Sequence, residues 1–144
     1  MSVAAALGDI SRLAIDTAPL IYFVEEHPRY VGILEEVVDR MDRHDIQVST
    51  SVLALTEVLV RPKACNRPDL GERYLELLGE AAGLEVVDVS RQIASLAADL
   101  RVKYRLRTPD AIHVASAITS QCGAFLTNDK ELRRVNELRV LVLD

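Results

Sequence analysis

The chain has 144 residues, of which 49% are hydrophobic and 27% charged, and its formal net charge is −5. These values are typical of one folded domain, so we expect a single domain over residues 1–144, located in the cytoplasm. We expect no membrane association, because no apolar run is long enough to span a bilayer and the N-terminus lacks the basic region of a signal peptide. Cys65 and Cys122 have no ligand or disulfide spacing. The acidic balance argues against a general nucleic-acid binder.

Short apolar runs alternate with helix-length segments along the chain. Strands are predicted at 13–16, 46–50, 84–89, 124–127 and 138–143. Helices are predicted at 18–26, 29–43, 51–61, 70–82, 90–105 and 109–121, with a short one near 129–134. The stretch 61–71, which contains two prolines, is predicted to be an exposed loop. This alternation predicts an α/β fold in which helices cover both faces of a parallel sheet.

Two aspartates follow predicted strands. Asp16 closes the first strand and Asp129 comes shortly after the fourth, and a helix is predicted to follow each of them. Ligands of open α/β sheets bind outside the carboxyl ends of the strands, where these side chains are expected. Taken singly, Asp16 is equally well explained as a turn former, and Asp129 as an acid that the helix dipole stabilises.

Two further acids lie within predicted helices. Glu57 is in a segment that is apolar nearly all round, so its carboxylate is predicted to be buried. Asp110 is predicted in a first turn, after Thr108 as N-cap and Pro109 at the first helical position. A buried carboxylate needs a partner. An arginine is the structural alternative for Glu57, and the helix dipole is the alternative for Asp110.

Convergence of the four acids at one sheet edge accounts for all of them together. At about 4–5 Å and an effective dielectric constant near 20, each pair of charges would cost roughly 3–4 kcal/mol, so the cluster requires a cation. Oxygen ligands favour Mg²⁺ or Mn²⁺, and we expect one or two such ions. A divalent ion with open coordination positions is suited to phosphoryl transfer or hydrolysis. The chain lacks the D-x-D, the acidic pair and the GxGxxG of other α/β phosphate-binding classes.

Four segments, in this order, resemble the PIN domain and in particular the small VapC-type ribonuclease toxins: IDTAPLIY (15–22), STSVLALTEVL (49–59), RTPDAIHVASAI (107–118) and FLTNDKEL (125–132). The resemblance implies a three-layer α/β/α sandwich and an endoribonuclease that depends on Mg²⁺ or Mn²⁺. The family's acids fall on Asp16, Glu57, Asp110 and Asp129, with Thr17, Thr127 and Asn128 as polar neighbours. The chain departs from the family's DTN or DTS pattern, because Ala18 follows Thr17.

The same resemblance implies partners. A VapB-type antitoxin would place its C-terminal segment in the active-site groove, and a homodimer would form through the early helices at 18–38. The apolar residues of that stretch are equally able to face the sheet. A free-standing PIN nuclease in RNA processing and a PIN-like binding module without turnover are the alternatives to a toxin.

RNA binding by an acidic protein requires local positive charge. In the segment 101–107, Arg105 and Arg107 are predicted to contact phosphates and Tyr104 to stack on a base. The alternative is a solvated helix end whose cations favour the dipole. His113 shares a helix face with Asp110, and we predict a packed histidine with one bonded nitrogen, outside the catalytic set. A metal-free route through two histidines would instead leave 2′,3′-cyclic phosphate ends.

Overall fold

The computed structural model describes residues 3–79 and 83–144. Within these ranges, one all-parallel sheet has the order β3-β2-β1-β4-β5. Its strands are β1 (Arg12–Ile15), β2 (Gln47–Ser51), β3 (Glu85–Val87), β4 (Ala124–Thr127) and β5 (Arg139–Val142). The helices are α1 (Val3–Leu7), α2 (Thr17–Val24), α3 (Val31–Asp42), α4 (Leu53–Ala64), α5 (Pro68–Leu77), α6 (Arg91–Tyr104), α7 (Thr108–Thr119) and a 3₁₀ helix (Lys130–Arg134).

Helices cover both faces of this sheet, because alternate strand residues point to opposite sides. Leu13 and Ile15 of β1 join a core that includes residues of α1 to α5, whereas Ala14 joins a second core under α6 and α7. β4 repeats the pattern, with Leu126 in the first core and Phe125 in the second. The predicted α/β/α sandwich with a central parallel sheet is confirmed.

The strand order creates a switch point beside β1. From β1 the chain first builds outward through β2 and β3, and then returns to the other side of β1 with β4 and β5. The backbone N–H of Asp16 donates to the carbonyl of Leu126 (2.9 Å), which continues the β1–β4 pairing to the very end of β1. The crevice outside the carboxyl ends of β1 and β4 is therefore where this topology favours a ligand.

The prediction of a loop at 61–71 was wrong, although most of these residues are exposed as expected. Helix α4 continues to Ala64 with Pro62 inside its last turns, and α5 begins at Pro68. A proline removes only one donor from a helix, and its fixed φ suits the first helical position. Only 65–67 connect the two helices. The predicted helix at 70–82 corresponds to α5, while residues 80–82 lie outside the described residues.

Helix α1 was not predicted. It has only five residues, so it is too short to show a helical period, and its stability comes from packing. Ala6 and Leu7 are buried in the first core, and the Arg40 guanidinium donates to the carbonyl of Leu7 (2.7 Å). Across the described ranges, no helix has both the length and the apolar character that a membrane crossing needs.

Candidate active site

Asp16 lies at the switch point with both carboxylate oxygens held. It is the N-cap of α2, where Oδ1 accepts a hydrogen bond from the Thr17 backbone N–H (2.8 Å). Oδ2 accepts from the Thr127 hydroxyl at the end of β4 (2.7 Å). Asp16 is 9% exposed and Thr127 is fully buried. The two strands that flank the switch point thus fix the orientation of this carboxylate.

A second group of side chains lies beside Asp16. The Nε2 atom of His113 is 2.6 Å from Glu57 Oε1, 3.2 Å from Thr17 Oγ1 and 3.8 Å from Asp16 Oδ1. The Thr17 hydroxyl also donates to Glu57 Oε1 (2.9 Å). Helices α2, α4 and α7 therefore each contribute one side chain to a connected network.

The predicted burial of Glu57 was wrong. Its side chain is 35% exposed, because α4 packs on the core through a different face, formed by Ala54, Val58 and Pro62. Val60, three residues after Glu57 on the same helix, is 61% exposed. Glu57 is a partly solvated carboxylate that faces the crevice, and its partner is His113 rather than an arginine.

Glu57 and His113 change each other's pKa in the directions that favour an ion pair. The hydrogen bond from His113 lowers the pKa of Glu57 and outweighs the opposing effect of partial burial. Burial by itself would lower the pKa of His113, but the hydrogen bond to Glu57 and the charges of Asp16 and Asp110 raise it overall. Nδ1 of His113 is buried and has no partner among the described residues. The expected histidine with one bonded nitrogen is what the structure shows.

Asp110 is in the first turn of α7, close to the other acids. Burial raises its pKa, and the negative charges of Asp16 and Asp129 raise it further against the opposing effect of Arg107. Arg107 Nε is 3.3 Å from Asp110 Oδ2, and its own side chain is 82% exposed. The helix begins one residue earlier than predicted, since Thr108 is helical and Arg107 occupies the N-cap without a side-chain hydrogen bond.

Asp129 follows β4 as predicted and caps the 3₁₀ helix. Its Oδ1 accepts from the Glu131 backbone N–H (2.9 Å), and its own N–H donates to Thr127 Oγ1 (3.1 Å). Thr127 therefore contacts both strand-end aspartates. The neighbouring Asn128 donates through Nδ2 to the hydroxyl of Tyr22 on α2 (2.9 Å).

The four acids are linked through His113, Thr17, Thr127 and the charge effects on Asp110, but they do not form a closed ligand set. Among the described residues, no three Asp, Glu, His or Cys side chains are close enough to hold one ion as they stand. The chemistry of the donors nevertheless fits a hard divalent cation. The negative charges of Asp16 and Asp129 raise the pKa of Asp110. The adjacent cation, Arg107, has a side chain that is 82% exposed. Added positive charge in the crevice would relieve that repulsion.

His113 is the site residue that the sequence interpretation left out. Its position three residues after Asp110 placed it on the same helix face, and that spacing was the available signal. The spacing did not reveal that Glu57, which is 56 positions away, would lie within hydrogen-bonding distance. His113 contacts Glu57 and is itself only 3% exposed.

Tyr104 is not available to stack on a base, which corrects the prediction for that residue. It is 8% exposed and packs in the second core, where its hydroxyl donates to Glu137 and accepts from the Asn136 N–H (3.1 Å). Arg105 ends α6 in a left-handed conformation (φ 56°) and is exposed. Arg107 stays beside the acid site through Asp110.

The fold and the site define a class of protein: α/β/α sandwiches that carry an acidic site at the switch point of the sheet. The PIN domain family matches residues 13–138. This chain belongs to the PIN domain family. The family expected from the four sequence motifs is thereby confirmed.

Solved structures share the fold at low sequence identity. VapBC2 from Rickettsia felis, bound to a DNA fragment from its promoter, aligns with a TM-score of 0.72 and 18% identity over 92% of this chain and 99% of the other. A toxin-antitoxin complex from Klebsiella pneumoniae gives 0.70 and 22% over 90% and 96%. VapBC-5 from Mycobacterium tuberculosis gives 0.59 and 19% over 92% and 99%. No curated protein sequence matches significantly.

Proposed function

We propose that this protein is an endoribonuclease that hydrolyses RNA phosphodiester bonds with the help of a divalent metal, and that residues 1–144 form one nuclease domain. The observation that carries the proposal is the placement of Asp16 and Asp129 at neighbouring strand ends, where both bond to Thr127. Asp110 is near enough for their charges to raise its pKa, and the Glu57–His113 pair lies beside them at the switch point of a PIN domain. Among the described residues, Arg107 and His113 are the cations beside these carboxylates, and the acids outnumber them, which suits a site that binds metal and a phosphate.

Mg²⁺ or Mn²⁺, as one or two ions, is the proposed cofactor. Asp16, Asp110 and Asp129 would hold it, and Glu57 would contribute directly or through water. When bound, such an ion offsets the charge of the scissile phosphate and activates water for in-line attack. These four residues are our proposed catalytic and metal-binding set.

The chain's own residues prepare the site for this reaction. The Thr17 N–H and the Thr127 hydroxyl keep Asp16 in one orientation, so little reorganisation is needed when a charged ligand enters. His113 and the Thr17 hydroxyl hold Glu57 in its ionised form, facing the crevice. Arg105 and Arg107 are proposed to contact RNA phosphates, with Thr17, Thr127 and Asn128 as supporting polar groups.

Cleavage assays with purified protein test the function. We expect cutting of single-stranded and structured RNA in Mg²⁺ or Mn²⁺, its loss in EDTA, and loss in both Asp16→Asn and Asp110→Asn. Products are expected to carry 5′-phosphate and 3′-hydroxyl ends. Activity that persists in EDTA, or 2′,3′-cyclic phosphate ends, would contradict hydrolysis at the acid site. RNA binding without turnover in every condition would indicate the alternative, a PIN-like binding module.

We further propose that the protein is a VapC-type toxin controlled by a VapB-type antitoxin. The similarity in fold to VapBC2 and to the Klebsiella pneumoniae toxin-antitoxin complex supports this partner. Expression of the wild type alone should arrest growth, and expression of Asp16→Asn should not. Growth unaffected by an active ribonuclease would favour the other alternative, a free-standing PIN nuclease in RNA processing.

A homodimer through the early helices remains a proposal. Pro19, Leu20 and Val24 of α2 and Leu34 and Val37 of α3 are buried within this chain. Within the stretch 18–38, the surface left for a second copy is therefore the half-exposed part of α3 that carries Val31 and Val38. Light scattering of the purified protein would measure the mass directly. A monomeric mass at micromolar concentration would contradict the dimer.

A further inference from the structure

The last turn of α2 and the connection to α3 carry three aromatic side chains that the acid site does not explain. The ring centroids of Tyr22 and Tyr30 are 5.2 Å apart, with planes inclined by 23°. The His27 ring lies 4.7 Å from Tyr22 and 4.8 Å from Tyr30. All three residues are half-exposed, and both tyrosines rest partly on the first core. We call Tyr22, His27 and Tyr30 the aromatic cluster.

The backbone of this turn holds the rings in place. The His27 N–H donates to the Tyr22 carbonyl (2.8 Å), after Glu26 has reversed the chain in a left-handed conformation (φ 53°). Nδ1 of His27 accepts from the Arg29 N–H (3.2 Å), which limits rotation of the imidazole. A surface whose rings are already ordered loses little conformational entropy when a ligand stacks on it.

The aromatic cluster is connected to the acid site at two points. Asn128, which directly precedes Asp129, donates to the Tyr22 hydroxyl (2.9 Å). Tyr22 is also six residues after Asp16, about 9 Å along the axis of α2 at the normal helical rise. Adjacent nucleotides of one strand can therefore occupy the acid site and the aromatic cluster together.

Positive charge lies beside Tyr30. The Arg29 guanidinium is 5.4 Å from the centroid of the Tyr30 ring. Arg29 and Tyr30 line an open groove of about 580 Å³ together with Arg133 and Arg139. Asp144 also lines this groove and pairs with Arg133 (3.3 Å), so the groove is basic but not uniformly so.

We propose that the aromatic cluster is a subsite for an unpaired nucleobase of the RNA, with Arg29 contacting an adjacent phosphate. Aromatic rings beside arginine are the features by which proteins bind single-stranded RNA, whereas the bases of a duplex are stacked on each other and inaccessible. This subsite rests on the proposed ribonuclease function, since it positions a strand that passes through the acid site. It takes the stacking role that the buried Tyr104 cannot perform.

The binding test uses Asp110→Asn as a background that does not cut, and a fluorescein-labelled single-stranded RNA of mixed sequence. Tyr30→Leu keeps apolar volume but removes the ring, and Tyr30→Phe is the matched control that retains it. Anisotropy titrations should show roughly 10-fold weaker binding for Tyr30→Leu, the order expected for one stacked base, and binding within about twofold of the background for Tyr30→Phe.

Salt dependence separates stacking from charge. Tyr30→Leu should leave the slope of log affinity against log salt unchanged, while Arg29→Gln should flatten it by about 0.7, the value for one phosphate contact with a single strand. A folded Tyr30→Leu protein that binds RNA as tightly as Tyr30→Phe would overturn the subsite. If that variant instead changed the mass measured by light scattering, the cluster would be a contact between subunits.

Photocrosslinking tests the contact without any substitution in the cluster. RNA that carries 5-iodouridine should crosslink within residues 22–30, as mapped by mass spectrometry of the digested complex. Crosslinks confined to other segments would overturn the proposal. The two proposals also fail differently. If wild type and Tyr30→Leu cut RNA in Mg²⁺ with the same KM, the subsite is contradicted and the nuclease function is not. If RNA crosslinks at 22–30 but the wild type never cuts it, the nuclease function is contradicted and the subsite is not.

Discussion

The acid site joins two regions that are built differently. At the strand ends, Asp16 and Asp129 are positioned by the sheet, and the Thr127 hydroxyl and backbone N–H groups hold them. On the helices, Glu57 is held by side chains alone, through His113 and Thr17. A side chain that is held only by other side chains can change its position more easily than a residue that is fixed at the end of a paired strand. We therefore expect the strand-end region to decide whether the site works and the helix region to decide how well.

Asp16→Asn is expected to have the largest effect. It keeps the side-chain volume but removes the charge at the centre of the switch point, and the loss of activity should reach about 10³-fold or more, as for key electrostatic groups in other enzymes. Initial rates of RNA cleavage in Mg²⁺ measure it. The control is a circular dichroism spectrum that shows the variant to be folded at the assay temperature, since asparagine replaces one of the two accepting oxygens by an NH2 group. A loss below tenfold would contradict the central role of Asp16.

Glu57→Gln is expected to cost less, about 10²-fold in kcat, because the Glu57 side chain is more exposed (35%) than those of Asp16 (13%) and Asp110 (19%) and is held by side chains. The substitution should also lower the pKa of His113, which the carboxylate of Glu57 raises. NMR titration of the imidazole provides this second readout. An equal loss of activity in Glu57→Gln and Asp16→Asn would erase the distinction between the two regions.

His113→Gln should lower activity by roughly tenfold, through misplacement of Glu57, and should alter the pH dependence of stability. The pKa of Glu57 is below its ordinary value of 4.5, so its contribution is present above that value and is lost as the pH falls through the lowered pKa. The pKa of His113 is above its ordinary value of 6.5, so its contribution is present below that value and is lost as the pH rises through the raised pKa.

The stabilisation from this ion pair is therefore greatest between the two ordinary values. Urea unfolding of wild type and His113→Gln in EDTA should differ most in that window, by about 1 kcal/mol, since the pair is partly solvated. The difference should shrink toward pH 3 and toward pH 9. A difference that stays constant across this range would show that His113 acts only by packing.

The two threonines are compared by their effect on stability, and their order sharpens the comparison. Thr127→Val leaves Oδ2 of the buried Asp16 without its donor and should lower the free energy of unfolding by about 1–3 kcal/mol. Thr17→Val removes a bond to the partly solvated Glu57, so a cost below about 1 kcal/mol is expected. Thr127→Ser keeps the hydroxyl and is the control. Equal costs for the two valine variants would contradict the order.

The strand-end acids were predictable because their signal is local. A short apolar run that ends in an acid and leads into a helix specifies both the strand and its carboxyl end, and Asp16 and Asp129 lie where that pattern placed them. The errors arose where the answer depended on which face of a helix meets the core. Glu57 was expected inside because α4 is apolar nearly all round, and Tyr104 was expected outside because basic residues surround it.

The sequence by itself determined the order of elements, the parallel sheet and the four acids, since periodicity and strand ends are set by neighbouring residues. Tertiary structure alone decided that His113 would meet Glu57, that Tyr104 would be buried against the second core, and that Tyr22, His27 and Tyr30 would form a cluster beside Asn128. The contacts of His113, Tyr104 and Asn128 join residues tens of positions or more apart. No local pattern encodes such a contact, because it depends on how helices are rotated as they pack on the sheet.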